Sequence, residues 1–321
     1  VTGFVLPGIE DITRRDFLIG GAAAILLGGC GSGGEDSPSG QTRTFEGPAG
    51  PVEIPANPRR VVPGYVTDMD VAFVLDLPLV GGPGAMGRSN QEFASYQPED
   101  ELEGIRKITT SPEPNLEEIA ALRPDVIIDS YPYEGFEDRY ENFSEIAPTV
   151  NVGEEYTEGW RPYLRRVAEA FGREGLAEGF MADYEERVGG LRGAVSERWG
   201  EARFAIVGSY APDTVYLSTW QSQPGRILTE DFVFVPSEGV PETSEDEGEI
   251  SLERLDTIYD ADIVFIMVEP SQEGEGRDRE FVGPLQDSPL WQRLPAVKAG
   301  NVYECGSELY YNSPLAAMAF L

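Results

Sequence analysis

The sequence predicts an α/β protein of two similar lobes joined by a single long α-helix. Three observations carry that prediction. Short apolar runs alternate with helical stretches from Arg43 onward, the pattern of sheets covered by helices. A phrase in the first half, Asn115-Leu116-Glu117-Glu118-Ile119 then Pro124-Asp125-Val126-Ile127-Ile128, returns in the second as Ser251-Leu252-Glu253-Arg254-Leu255 then Ala261-Asp262-Ile263-Val264-Phe265. Each copy runs polar cap, leucine, glutamate, helix, aspartate, apolar strand. Between them, apolar residues recur at helical spacing from Glu174 to Trp199, long enough at 1.5 Å per residue to reach about 39 Å, the length of a domain.

The elements follow in order. Val52 to Ile54 reads as a short strand, and Arg59-Arg60-Val61-Val62 opens another. Met69 to Leu77 reads as a helix with Val71, Val74 and Leu75 on its apolar face. Leu79-Val80-Gly81-Gly82 is a strand entering a glycine loop. Asn115 to Leu122 is a helix behind Pro112 and Pro114, capped by Asn115 or Ser111. Asp125 to Ile128 is a continuous apolar run with a polar end, as in a strand buried on both faces. Trp160, Leu164, Val167 and Phe171 mark a helix ahead of the long one. Then come strands at Phe204 to Val207 and Thr214 to Leu217, a helix from Ser251 to Tyr259, and strands at Ile263 to Ile266 and Val302-Tyr303. A last helix starts at Ser313, and it is expected to continue in the natural chain beyond Leu321. The domain reading is a signal segment over 1–29, a tether over 30–42, a first lobe over 43–153, a connecting helical segment over 154–200 and a second lobe over 201–321.

The first thirty residues read as an address. Arg14-Arg15 precedes an apolar run from Phe17 to Leu27. That run is too short for a spanning helix, which needs about 20 residues, and it has the length of a signal-peptide core. The twin arginine followed by Phe-Leu resembles the Tat export signal. Leu27-Gly28-Gly29-Cys30 resembles a bacterial lipobox, which makes Cys30 the expected lipidation site, with Gly31 to Gly40 as a flexible tether.

Composition narrows the function. The net charge is −33, with acids spread along the whole chain. This is a solvated acidic surface that repels nucleic acid and anionic headgroups. There is no histidine, which excludes a histidine-based triad and most histidine-ligated zinc or haem sites. With Cys30 assigned to lipid, Cys305 has no intramolecular partner and no disulfide is expected.

Three phrases carry a resemblance. Pro55-Ala56-Asn57-Pro58-Arg59-Arg60-Val61-Val62, the stretch from Asn115 to Ile128, and Pro289-Leu290-Trp291 with Leu294 to Tyr303 are similar to phrases of the periplasmic binding proteins for iron-siderophores and cobalamin. The resemblance runs from about Phe45 to Leu321. It implies two Rossmann-like lobes, a ligand cleft between them where strand ends converge, and a rigid helical connection. It implies a lipid-anchored substrate-binding protein of an ABC importer, exported to the outer face of the cytoplasmic membrane or the periplasm. Such a protein captures a ferric siderophore, needs no resident cofactor and acts as a monomer. It also implies that Glu117 and Glu253, one on each lobe, dock arginines of a two-fold permease that works with an ATPase. First-turn acids at matched positions fit that role, and they equally fit the helix dipole.

A ferric chelate arrives with its coordination shell filled, so the site needs aromatic faces and guanidinium forks rather than protein metal ligands. Candidates in loops after strands are Tyr65, Arg88, Tyr131 and Tyr133 in the first lobe, and Tyr210, Trp220, Arg226, Tyr310 and Tyr311 in the second. Cobalamin or haem on the same scaffold is the alternative ligand. An exported α/β enzyme is the alternative class, but the chain has no Gly-x-Ser-x-Gly elbow, no P-loop and no histidine base.

Overall fold

The computed structural model describes residues 41–84, 93–110, 113–130, 136–153, 155–209, 213–243, 248–268 and 277–321. The export segment and Cys30 lie outside these residues.

The described chain opens with a hairpin of β1 (Thr42–Gly47) and β2 (Gly50–Pro55), antiparallel, with Thr42 opposite Pro55. The sequence predicts β2, but Thr42, the first residue of β1, falls in the stretch predicted as tether. Only Phe45 of β1 is buried, so the strand carries almost no apolar pattern of its own.

The first lobe is built on β3 (Val61–Pro63), β4 (Gly81–Pro83), β5 (Arg106–Ile108), β6 (Val126–Ile128) and β7 (Thr149–Val150). All pairings among them are parallel. A bridge between Val61 and Leu79 sets β4 beside β3, giving the order β5-β4-β3-β6-β7. Three helices belong to it: α1 (Val66–Val74), α2 (Leu116–Ala121) and α3 (Phe136–Ser144). α1 starts three residues earlier than the pattern predicts. Extended backbone at Tyr65 (φ −139°) launches it, and Asp76 in the left-handed region (φ 49°) ends the turn that follows. Asn115 caps α2 as expected, its side chain accepting from the Glu118 N–H at 3.2 Å.

The connection comprises α4 (Glu155–Glu158), α5 (Trp160–Phe171) and α6 (Glu174–Trp199). α6 has the bounds read from the sequence. Gly172 closes α5 with φ 64°, in the left-handed region that favours glycine.

The second lobe holds β8 (Arg203–Gly208), β9 (Thr214–Leu217), β10 (Val235–Pro236), β11 (Glu249–Ser251), β12 (Ile263–Val268) and β13 (Val302–Gly306). The order is β11-β9-β8-β12-β13, with β10 beside β8. β8, β12 and β13 are parallel, and β9 runs against β8. Its helices are α7 (Gln223–Arg226), which continues into a π turn to Asp231, α8 (Arg277–Asp287), α9 (Pro295–Ala299) and α10 (Pro314–Phe320). The helix expected over Ser251 to Tyr259 is instead β11 followed by a 3₁₀ helix, Leu252–Ile258, with Arg254 off helical geometry. No helix among the described residues is long and apolar enough to cross a membrane. Cys305 is a buried free thiol, and burial pushes its pKa up to about 12.

One apolar core runs through both lobes. It joins Val61, Val71 and Leu75 of the first to Trp160, Leu164 and Val188 of the connection and to Ile206, Phe265 and Phe320 of the second. Each sheet's other face has its own core, around Ile119, Ile127 and Phe143 in the first lobe and Leu255, Val264 and Trp291 in the second. Asp231 strengthens the weld. It accepts the Tyr184 hydroxyl of α6 at 2.7 Å and Arg161 Nη2 of α5 at 2.8 Å. A connection packed into both lobes moves as a strut rather than a hinge, because separating the lobes would expose that shared core.

Candidate functional site

The carboxyl ends of both sheets meet. Tyr65 follows β3, and Tyr311 follows β13 and its 3₁₀ turn, Ser307–Tyr310. Their rings stand edge to face across the two lobes, centroids 6.2 Å apart at 89°. This offset geometry lets each aromatic quadrupole attract the other. Two residues predicted from different lobes are thus brought together at the position where α/β folds bind ligands.

The other candidates divide. Tyr310 turns back to its own sheet, its hydroxyl 3.4 Å from that of Tyr216 on β9, and burial pushes its pKa well up. Trp220 is half-buried and packs against the shared core and the second lobe's own core. Arg226 is engaged with main-chain carbonyls: Nε donates to Gln221 at 2.9 Å, Nη2 to Thr157 at 3.3 Å, and Nη1 to Glu158. That places its guanidinium as a clasp between the second lobe and the connection. Arg88, Tyr131, Tyr133 and Tyr210 lie outside the described residues. Glu117 and Glu253 are exposed, each in the first turn of its helix. A helix that leads back into a parallel strand begins at the carboxyl edge of the sheet. Both glutamates therefore sit toward the side on which Tyr65 and Tyr311 lie.

Beneath the first lobe's edge is a buried polar network that the sequence reading missed. Asp68 of α1 accepts the Tyr163 hydroxyl of α5 at 2.5 Å and the Ser130 N–H at 3.2 Å. Asp129, at the end of β6, pairs with Arg139 Nε of α3 at 2.9 Å. Arg139 also donates to the carbonyls of Gly64 and Thr110. Gly64 is required here: a β-carbon would lie 2.3 Å from the Asp129 carboxylate. Burial first, and then the neighbouring Asp129, raise the Asp68 carboxyl to about 7. Burial also raises Asp129, against the pull of Arg139. With one cation for two acids, the pair titrates as a unit. A second acid, Asp70, accepts Gln97 Nε2 at 2.6 Å, the Tyr96 hydroxyl at 2.9 Å and the Ser313 hydroxyl at 2.5 Å. The clue in the sequence was a pair of acids, Asp68 and Asp70, inside an otherwise apolar helical run.

Comparison with known proteins decides the family. The periplasmic binding protein family matches residues 79–309. The chain belongs to that family. Periplasmic binding proteins carry substrates rather than transform them, and they work outside the cytoplasm. Among relatives, the chain is 26% identical to a probable siderophore-binding lipoprotein, YfiY, of Bacillus subtilis over 291 residues, covering 88% of this chain and 87% of that one. It is 26% identical to the iron(3+)-hydroxamate-binding protein FhuD of Bacillus subtilis over 301 residues, covering 90% and 89%. Among solved structures, it resembles Staphylococcus aureus SirA complexed with staphyloferrin B. The TM-score is 0.69 and the identity 22%, over 87% of this chain and 94% of that one.

Proposed function

We propose that this periplasmic binding protein captures a ferric siderophore between its lobes and delivers it to the permease of an ABC importer. The observation that carries the reading is the Tyr65–Tyr311 contact between the lobes at the sheets' carboxyl edges, in which buried Tyr65 backs half-buried Tyr311, the ring left to meet a ligand. Aromatic faces suit the organic shell of a ferric chelate, whose iron needs no ligand from the protein. The printed names of the relatives, siderophore-binding and iron(3+)-hydroxamate-binding, support the same class.

The finer parts of the reading follow from the sequence. Cys30 carries the lipid after export through the Tat route, and the protein works as a monomer on the outer face of the membrane. Glu117 and Glu253 dock the two halves of a two-fold permease coupled to its ATPase. Both are exposed, whereas the adjacent Glu118 is half-buried and accepts the Thr109 N–H at 3.1 Å. The exposure of Glu117 supports giving the docking role to it rather than to Glu118.

Titration with ferric desferrioxamine, ferric citrate, a ferric catecholate, cobalamin and haem, read by tryptophan fluorescence, tests the ligand class. Saturable quenching is expected with at least one ferric chelate. Silence with every ferric chelate would overturn the reading, and saturation with cobalamin or haem alone would replace it. Changing Glu117 and Glu253 together to alanine is expected to abolish uptake in cells and leave chelate affinity unchanged. A loss of affinity would remove the docking role.

A further inference from the structure

Three stretches of chain converge on one buried carboxylate. Asp70 lies on α1 and is fully buried. Its Oδ1 accepts Gln97 Nε2, and its Oδ2 accepts both the Tyr96 and Ser313 hydroxyls. Tyr96 and Gln97 belong to a loop of the first lobe. Ser313 stands 243 positions from Asp70 and begins α10, whose first turn it caps by accepting the Ala316 N–H at 3.2 Å. The Ser313 carbonyl in turn accepts Gln223 Nε2 of α7 at 3.1 Å. Ser313 is therefore gripped by the first lobe through its side chain and by the second through its main chain. It is two residues from Tyr311, just as Asp70 is one helical turn and a residue from Tyr65. Burial and then the charge of Asp70 push the Tyr96 phenol well up, so it stays a donor.

We propose that Asp70 is a positioning residue for the cleft: through Ser313 and Tyr96 it sets the spacing of Tyr65 and Tyr311 across the lobes, and that spacing governs affinity for the ferric chelate. The affinity clause rests on the proposed function; the spacing clause does not. Asp70 touches no ligand in this scheme. Its effect passes through two hydroxyls, one from each side of the cleft.

Four variants test it: Asp70→Asn, Tyr96→Phe, Ser313→Ala and Ser313→Thr. Each is read twice, by amide hydrogen exchange of the free protein and by dissociation of whichever ferric chelate quenches the wild type. Asp70→Asn and Ser313→Ala are expected to speed exchange in 93–97 and in 309–316 together. They are expected to raise the chelate off-rate on the order of tenfold, the loss of one buried hydrogen bond. Ser313→Thr keeps the hydroxyl and should restore both readouts. Tyr96→Phe leaves the α10 cap intact and should still speed exchange at 309–316. Exchange that rises only within α10 in Ser313→Ala, with off-rates within twofold of wild type, would reduce Ser313 to a helix cap and overturn the proposal. If the wild type binds no ferric chelate, the functional reading fails, while the exchange data still decide whether Asp70 couples the two segments.

Discussion

At its carboxyl edge the first lobe is held by buried acids and an arginine, the second by hydroxyls and apolar packing. Asp68, Asp70, Asp129 and Arg139 are all buried in the first lobe, drawn from α1, β6 and α3. The matching region of the second lobe buries Ser209, Ser218 and Ser222, bonded to a neighbouring carbonyl or to each other, over a core of Val207, Val264 and Ile266. Two lobes that repeat the same phrase on their surface are thus stabilised by different physics inside. A charge network fixes direction and distance at a few atoms, and it fails abruptly when one member is lost. An apolar layer tolerates rearrangement if its volume is kept.

The largest effect expected from this contrast is at Arg139. Changing Arg139 to Met keeps volume but leaves Asp129 without its cation and two carbonyls without their donor. Breaking a buried pair costs on the order of 3–5 kcal/mol. Urea unfolding at pH 8 should show a loss of that size, shrinking at pH 5 as Asp129 takes up a proton. An equally buried change in the second lobe, Val207 to Ala, should cost about 1–3 kcal/mol and show no such dependence on pH. If the Arg139 variant is no less stable at pH 8 than the Val207 variant, the lobes do not differ as described.

The next effect isolates Asp68. Its folded pKa, raised to about 7 by burial and by Asp129, lies above the unfolded value of about 3.9. The native state therefore holds the proton more tightly. The stabilisation is complete below about pH 4 and is lost as pH rises to about 7. Asp68→Asn is neutral throughout and keeps an acceptor for Tyr163. Between pH 5 and 7 the wild type should lose stability relative to this variant by at most about 1.4 kcal/mol per pH unit. Parallel unfolding curves for the two proteins across that range would show that Asp68 is ionised in the fold.

These interiors explain what could be read in advance. α6 was legible to the residue because a long helix on one apolar stripe needs no partner to declare itself: Met181, Tyr184, Val188, Leu191 and Val195 are all buried. The strands at Val126 to Ile128 and Ile263 to Ile266 were legible as continuous apolar runs. Asp68 and Asp70 were not, since an acid within a helix ordinarily marks its wet face. What makes them interior is Tyr163, 95 positions away, and Ser313, 243 positions away. Arg226 and Tyr311 show the same limit from the other side. Both follow strands and suit a chelate, but only tertiary contact shows one committed to carbonyls and the other facing Tyr65. β1 went unread because its place depends on β2 and α5 rather than on its own residues.

The smallest effect tests the repeated phrase itself. Asn115 and Ser251 occupy the same position in the two copies, and both are good helix-capping residues. Only Asn115 caps, accepting the Glu118 N–H at 3.2 Å ahead of a true α-helix. Ser251 makes no cap bond and stands between β11 and a 3₁₀ helix, whose tighter turn presents its first N–H groups differently. Asn115→Ala should therefore cost about 1 kcal/mol, and Ser251→Ala no more than a few tenths. Chemical denaturation of the two single variants checks this. Equal losses would mean that the second copy forms the same capped helix in solution, and that the lobes repeat in structure as closely as they do in sequence. An unequal loss, with Asn115 the costlier, would locate the divergence at the first turn, where Glu117 and Glu253 stand. Those two acids would then be held at matched sites by helices of different pitch, and the docking role proposed for them would require a partner that meets them by flexing rather than by exact symmetry.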